Sequence, residues 1–165
     1  MKIPFPAALA LAAVALAATT SVVPTTSAQN SAADPASRGR YLVRIAGCND
    51  CHTAGFAMSN GATPEKDWLA GDALGWQGPW GTTYAPNLRL FFQSVDDAAW
   101  VSMARTREFR PPMPTPSLRA MTDDDLRAIA RYVRTLGPAG APAPAYVPPG
   151  QPVNGPVVTF PAPPK

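Results

Sequence analysis

The 165 residues suffice for one ordinary domain and not for two. A formal net charge of +3 with no basic run argues against nucleic acid as a partner. Two cysteines and one histidine are too few for a four-ligand zinc site.

The chain begins as an exported one. Lys2 precedes an apolar run from Ala7 to Ala18, and a polar stretch ends in Thr26-Ser27-Ala28. A basic start, a short apolar core and small residues before a cut make a secretory signal peptide over residues 1–28. The alternative is an uncleaved anchor, but the run falls short of the ~20 residues that span a bilayer. Cleavage after Ala28 leaves a mature chain starting at Gln29, with 29–33 as a short leader and no transmembrane anchor.

A helix is expected from Asp34, which can cap it, with Pro35 at the first helical position. Tyr41, Leu42 and Ile45 repeat at helical spacing, Gly39 is a weak interior position, and Gly47 stops the helix. From Gly55 to Asn87 the sequence is loop-rich, with one short helical turn between Thr63 and Gly71. Gly75-Trp76-Gln77-Gly78-Pro79-Trp80-Gly81 contains too many breakers for a helix interior. Ser94 is the expected cap of the next helix, with Asp97 three residues on and Trp100 and Met103 as its large side chains. Arg110 to Pro116 carries four prolines and reads as a stiff, non-helical stretch.

The cleanest helix follows. Thr122 caps it, Asp123, Asp124 and Asp125 sit at its positive end, and Leu126, Ile129, Ala130, Val133 and Leu136 form one apolar face. Gly137-Pro138 ends it. The domain is thus residues 34–137, all-α, with a few helices, long loops and no convincing strand. Residues 138–165 hold ten prolines and read as an extended, polyproline-like or disordered tail. Its Tyr146, Val147, Val157, Val158 and Phe160 are able to stick to the domain. So small a helical chain has little core of its own, a deficit that a buried prosthetic group would fill.

Cys48-Asn49-Asp50-Cys51-His52 has the Cys-x-x-Cys-His spacing of c-type haem attachment. The two thiols add across the haem vinyl groups, and the next residue is an imidazole able to ligate the iron. A thioredoxin-like pair would need a strand before Cys48, and a plain disulfide leaves His52 unexplained. Haem c, one and covalent, is therefore the expected cofactor. Its two carboxylates, with the loss of Lys2, bring the mature protein near neutrality.

His52 is the only histidine, so a second histidine ligand is excluded. Lys66 and Lys165 are the only lysines left after Lys2. Met58 lies too close to the attachment site to reach the opposite face. Met103 and Met121 lie on or beside helices, where methionine more often packs a core. Met113, between Pro112 and Pro114 and far along the chain from His52, is the expected second axial ligand.

Taken together, the haem motif, Gly81-Thr82-Thr83-Tyr84-Ala85-Pro86-Asn87-Leu88, and Pro112-Met113-Pro114 before a final amphipathic helix resemble the class I cytochrome c family. More narrowly, the chain is similar to the cytochrome domains that accompany bacterial periplasmic dehydrogenases. The resemblance covers residues 37–136. It implies that Gly39 and Tyr132 meet where the first and last helices cross, and that Trp80, Tyr84 and Asn87 lie near the haem edge and its carboxylates.

The expected function is single-electron transfer in the bacterial periplasm. The donor would be a dehydrogenase and the acceptor an oxidase or another cytochrome. Two alternatives share the haem: a cytochrome subunit within a dehydrogenase complex, and an open-site haem protein that binds a small gas.

Overall fold

The computed structural model describes Met1 and residues 34–161. Apart from Met1, the expected signal segment 1–28 and leader 29–33 lie outside the described residues. No helix among the described residues is long and apolar enough to cross a membrane.

Helix α1 runs over Pro35–Ile45, and the Asp34 side chain accepts from the Ala36 N–H at its start. The helix is where the sequence places it, but its inward side differs. Leu42 and Val43 are buried, whereas Tyr41 and Ile45 are 52% and 61% exposed. Its partner is the last helix, which we label α6 (Asp123–Thr135). The Thr122 hydroxyl caps α6 by accepting from Asp125 N–H at 3.1 Å. Leu126, Ile129, Ala130 and Val133 of α6 are buried. The two helices cross at Gly39, where an added Cβ would lie 2.0 Å from the Ala128 carbonyl oxygen and 2.7 Å from Tyr132 Cβ. Glycine allows that approach because it has no side chain to place there.

Between them lie α2 (Cys48–His52), a 3-10 turn (Glu65–Asp67), α3 (Leu88–Ser94), α4 (Asp97–Thr106) and α5 (Thr115–Ala120). Ser94 is not a cap; it is the last residue of α3. Val95 is extended and separates the two helices, and Asp96 caps α4 by accepting from Ala99 N–H at 2.8 Å. Asp97 instead pairs with Arg134 of α6 at 2.5 Å. Trp100 of α4 is buried, donates its indole N–H to the Leu126 carbonyl at 2.9 Å, and meets Phe91 and Phe92 edge-on. Helix α5 starts inside the proline stretch, with Pro116 in its first turn, where a missing N–H is harmless.

The all-α expectation is corrected by a small three-stranded sheet. Strands β1 (Gly75–Gly78) and β2 (Gly81–Tyr84) form an antiparallel hairpin, and β3 (Val157–Thr159) lies parallel to β1, giving the order β2-β1-β3. The glycines that forbid a helix here make the hairpin. Pro79 and Trp80 form its turn, and Gly81, at φ +94°, takes a conformation that a side chain would strain.

The described part of the tail, residues 138–161, is extended and lies along this hairpin. Asn87 donates its amide protons to the carbonyls of Ala139, at 2.7 Å, and Ala141, at 3.2 Å. Thr82 and Val147 exchange backbone hydrogen bonds of 2.8 and 3.0 Å. Phe160 donates its backbone N–H to the Gln77 carbonyl at 2.7 Å, and its ring packs against Trp76 and Trp80. Arg89, only 6% exposed, fixes the point where the tail departs. It donates to the carbonyls of Lys66 and Gly137, each at 2.6 Å, and to that of Leu136.

Candidate functional site

Gly47, at φ +68°, turns the chain out of α1 and into the single turn of α2, which carries the whole Cys-x-x-Cys-His motif. Asn49 is buried beneath it and accepts from the Thr53 hydroxyl at 2.7 Å. The same hydroxyl oxygen accepts from Leu69 N–H at 2.8 Å, so the helix is tied to the segment that follows the 3-10 turn.

His52 is held from two directions. Its carbonyl accepts from Gly71 N–H at 2.8 Å. Its ring Nδ1 lies 2.8 Å from the Pro86 carbonyl oxygen. A carbonyl accepts and never donates, so Nδ1 carries the ring proton and Nε2 keeps its lone pair. Burial lowers the His52 pKa, against a smaller upward pull from the Pro86 carbonyl. The outcome is a neutral imidazole of fixed tautomer and direction, the form in which histidine binds a metal.

Cys48 and Cys51 are free thiols, each half-buried. Burial pushes Cys48 up to about 11. Burial also raises Cys51, with Asp50 and Asp72 adding to it. A thiol–disulfide enzyme needs a thiol whose pKa is lowered, and both shifts run the other way. Among the described residues no group of three or more His, Cys, Asp and Glu side chains converges as a metal site.

The four methionines beyond the expected signal segment differ in what they touch. Met58 is 92% exposed. Met103 Sδ faces the Arg107 guanidinium at 3.7 Å. Met113 and Met121 are half-buried against the apolar core, the same core that Cys48 borders. Met113 sits in a tight turn in which its N–H donates to the Arg110 carbonyl at 3.2 Å and its carbonyl accepts from Thr115 N–H at 3.0 Å. The Thr115 hydroxyl accepts from Phe109 N–H at 3.1 Å and closes the base of the loop.

Tyr84 is buried and, with Pro86, Asn87, Leu90, Phe91 and the tail residues Pro142 to Pro144, lines a cavity of about 230 Å³. Pro86 belongs both to this cavity and to the His52 hydrogen bond. The Asn87 side chain is fully engaged: its oxygen caps α3 by accepting from Leu90 N–H at 3.0 Å, and its amide protons go to the tail. The Trp80 indole N–H goes to the Trp76 carbonyl at 3.3 Å. Neither side chain has a proton left for an incoming carboxylate.

Three other side chains keep an unpaired buried group. Among the described residues, the buried side-chain atoms without a hydrogen-bond partner are Asn49 Nδ2, Trp76 Nε1 and Thr83 Oγ1. Trp76 and Thr83 are direct cross-strand partners on β1 and β2. Recognising the hairpin, with Pro79-Trp80 as its two-residue turn, would have paired them from the sequence. Comparison with family models, with curated proteins and with solved structures finds no match to this chain.

Proposed function

We propose that the chain is an exported mono-haem c-type cytochrome of the class I kind, related to the cytochrome domains of bacterial periplasmic dehydrogenases. In this reading it passes single electrons in the periplasm from a dehydrogenase to a respiratory acceptor, an oxidase or another cytochrome. The observation that carries the proposal is His52, a buried neutral imidazole at the end of the Cys48–Cys51 helix. Its Nδ1 proton is committed to the Pro86 carbonyl, and Nε2 is free to ligate.

The chemistry of the donor set supports a haem. Cys48 and Cys51 would hold it through thioethers, and His52 Nε2 and Met113 Sδ would ligate its iron. Haem c would supply a one-electron iron couple when bound, and a thioether ligand beside a histidine ligand would favour the reduced state. Met113 is borne on a turn flanked by Pro112 and Pro114, which stiffen the backbone that would present its sulfur.

The test is covalency. Protein exported with its haem should keep the haem stain through denaturing electrophoresis, and Cys48→Ala/Cys51→Ala protein should lose it. Stain retained by the double variant, or wild-type ferrous protein that binds carbon monoxide rapidly, would overturn the reading.

A further inference from the structure

The tail residue Tyr146 touches both the hairpin and the loop that carries Met113. Its hydroxyl donates to the Trp80 carbonyl at 2.7 Å, in the hairpin turn. Its neighbour Val147 is paired in both directions with Thr82 of β2. Gly81 leaves the space for this crossing, since a Cβ there would lie 2.4 Å from the Val147 carbonyl oxygen and 3.0 Å from the Tyr146 hydroxyl. Tyr146 is therefore fixed to the hairpin at its ring tip and through the adjoining backbone.

The face of its ring receives Arg110, whose guanidinium carbon lies 4.0 Å from the ring centre. The Arg110 carbonyl is the acceptor that closes the turn at Met113. Hence the residue that defines the start of that turn is stacked on a ring anchored to the hairpin, and the hairpin leads through Tyr84 and Ala85 to Pro86, the acceptor of the His52 proton.

We propose that Tyr146 is a positioning residue that clasps the Arg110–Met113 turn to the hairpin, so that the tail governs how firmly Met113 is presented. The ligand part of this rests on Met113 being the axial ligand. The Pro-rich tail is then a component of the site rather than an appendage. Releasing the clasp frees the turn, weakens presentation of the sulfur and opens that side of the iron to an external ligand.

The experiment uses the full-length, haem-loaded protein. Tyr146→Ala and Arg110→Ala should each bring loss of the ferric methionine–haem far-red band to a lower pH and speed carbon monoxide binding by about fivefold or more. The double variant should go no further than either single one, because both remove the same contact. Tyr146→Phe keeps the ring under Arg110 and should fall between wild type and Tyr146→Ala. A second readout does not depend on the iron: amide hydrogen exchange at Met113 should rise by a similar factor in Tyr146→Ala. A wild type without the far-red band would indict Met113 as ligand, while the exchange measurement would still judge the clasp. Unchanged exchange at Met113 in both single variants would overturn the clasp.

Discussion

Between α1, α4 and α6 the contacts are buried apolar side chains closed around Gly39 and Trp100. Between the hairpin and the tail they are backbone hydrogen bonds, a few aromatic rings and side chains that remain half in water. The first kind of contact scales with apolar area removed from water. The second depends on the chain being held in register. Damage to the helical region should therefore spread through the whole fold, and damage to the hairpin region should stay local.

The severest test is Trp100→Ala. It empties a buried indole site and removes the indole hydrogen bond to the Leu126 carbonyl, and should cost about 4 kcal/mol of unfolding free energy by denaturant titration. A cost near zero would mean that α4 is not part of the shared core. Gly39→Ala comes next. The added methyl meets the backbone of α6, and the strain should cost about 3 kcal/mol. Far-UV circular dichroism should show the entire helical signal melting earlier, not one segment. Phe160→Ala should sharpen the contrast from the other side. It removes the ring between Trp76 and Trp80, a loss of about 1 kcal/mol. Amide hydrogen exchange at Thr82 and Val147 should report a local opening of the hairpin while the helical melting curve keeps its midpoint. A joint shift of both signals would erase the distinction.

The smallest effect is in acid. The hydrogen bond from Arg40, helped by the Tyr132 hydroxyl, holds Glu65 below its ordinary 4.5, although burial opposes it. A carboxylate whose pKa is lowered in the fold stabilises the protein above its unfolded value. That stabilisation fades as pH drops through the lowered folded value. Melting temperatures of wild type and Glu65→Gln should differ most at neutral pH and converge below pH 4.5. A difference that widened in acid would reverse the assignment.

The same contrast decides what could be read from the sequence. Helices α1 and α6 announce themselves through Asp34, Pro35, Thr122 and the aspartates after it, because capping and periodicity are local. The motif at Cys48 to His52 is legible for the same reason. The direction of α1 was less so, since Tyr41 and Ile45 look apolar and yet face water. The hairpin was hidden because Gly75, Gly78, Pro79 and Gly81 signal interruption, and only their pairing turns interruption into a strand turn. Strand β3 has no local signal at all, since it pairs with residues about eighty positions earlier and is flanked by prolines. The unpaired Trp76 and Thr83 were hidden with the hairpin, and the pairing of the Asn87 and Trp80 donors within the fold is likewise invisible to local sequence.

The grip of Arg89 on the carbonyls of Leu136 and Gly137 has a further consequence for the tail. It sets the departure point, and Asn87 holds the chain again at Ala139 and Ala141. From there only a short span separates the anchored backbone from Tyr146. A ring tethered so closely meets its site at an effective concentration of about a millimolar or more. Its docking is thus independent of how much protein is present. A peptide carrying the same tyrosine, added to a chain cut after Gly140, would need millimolar amounts to match what the tether achieves within one molecule.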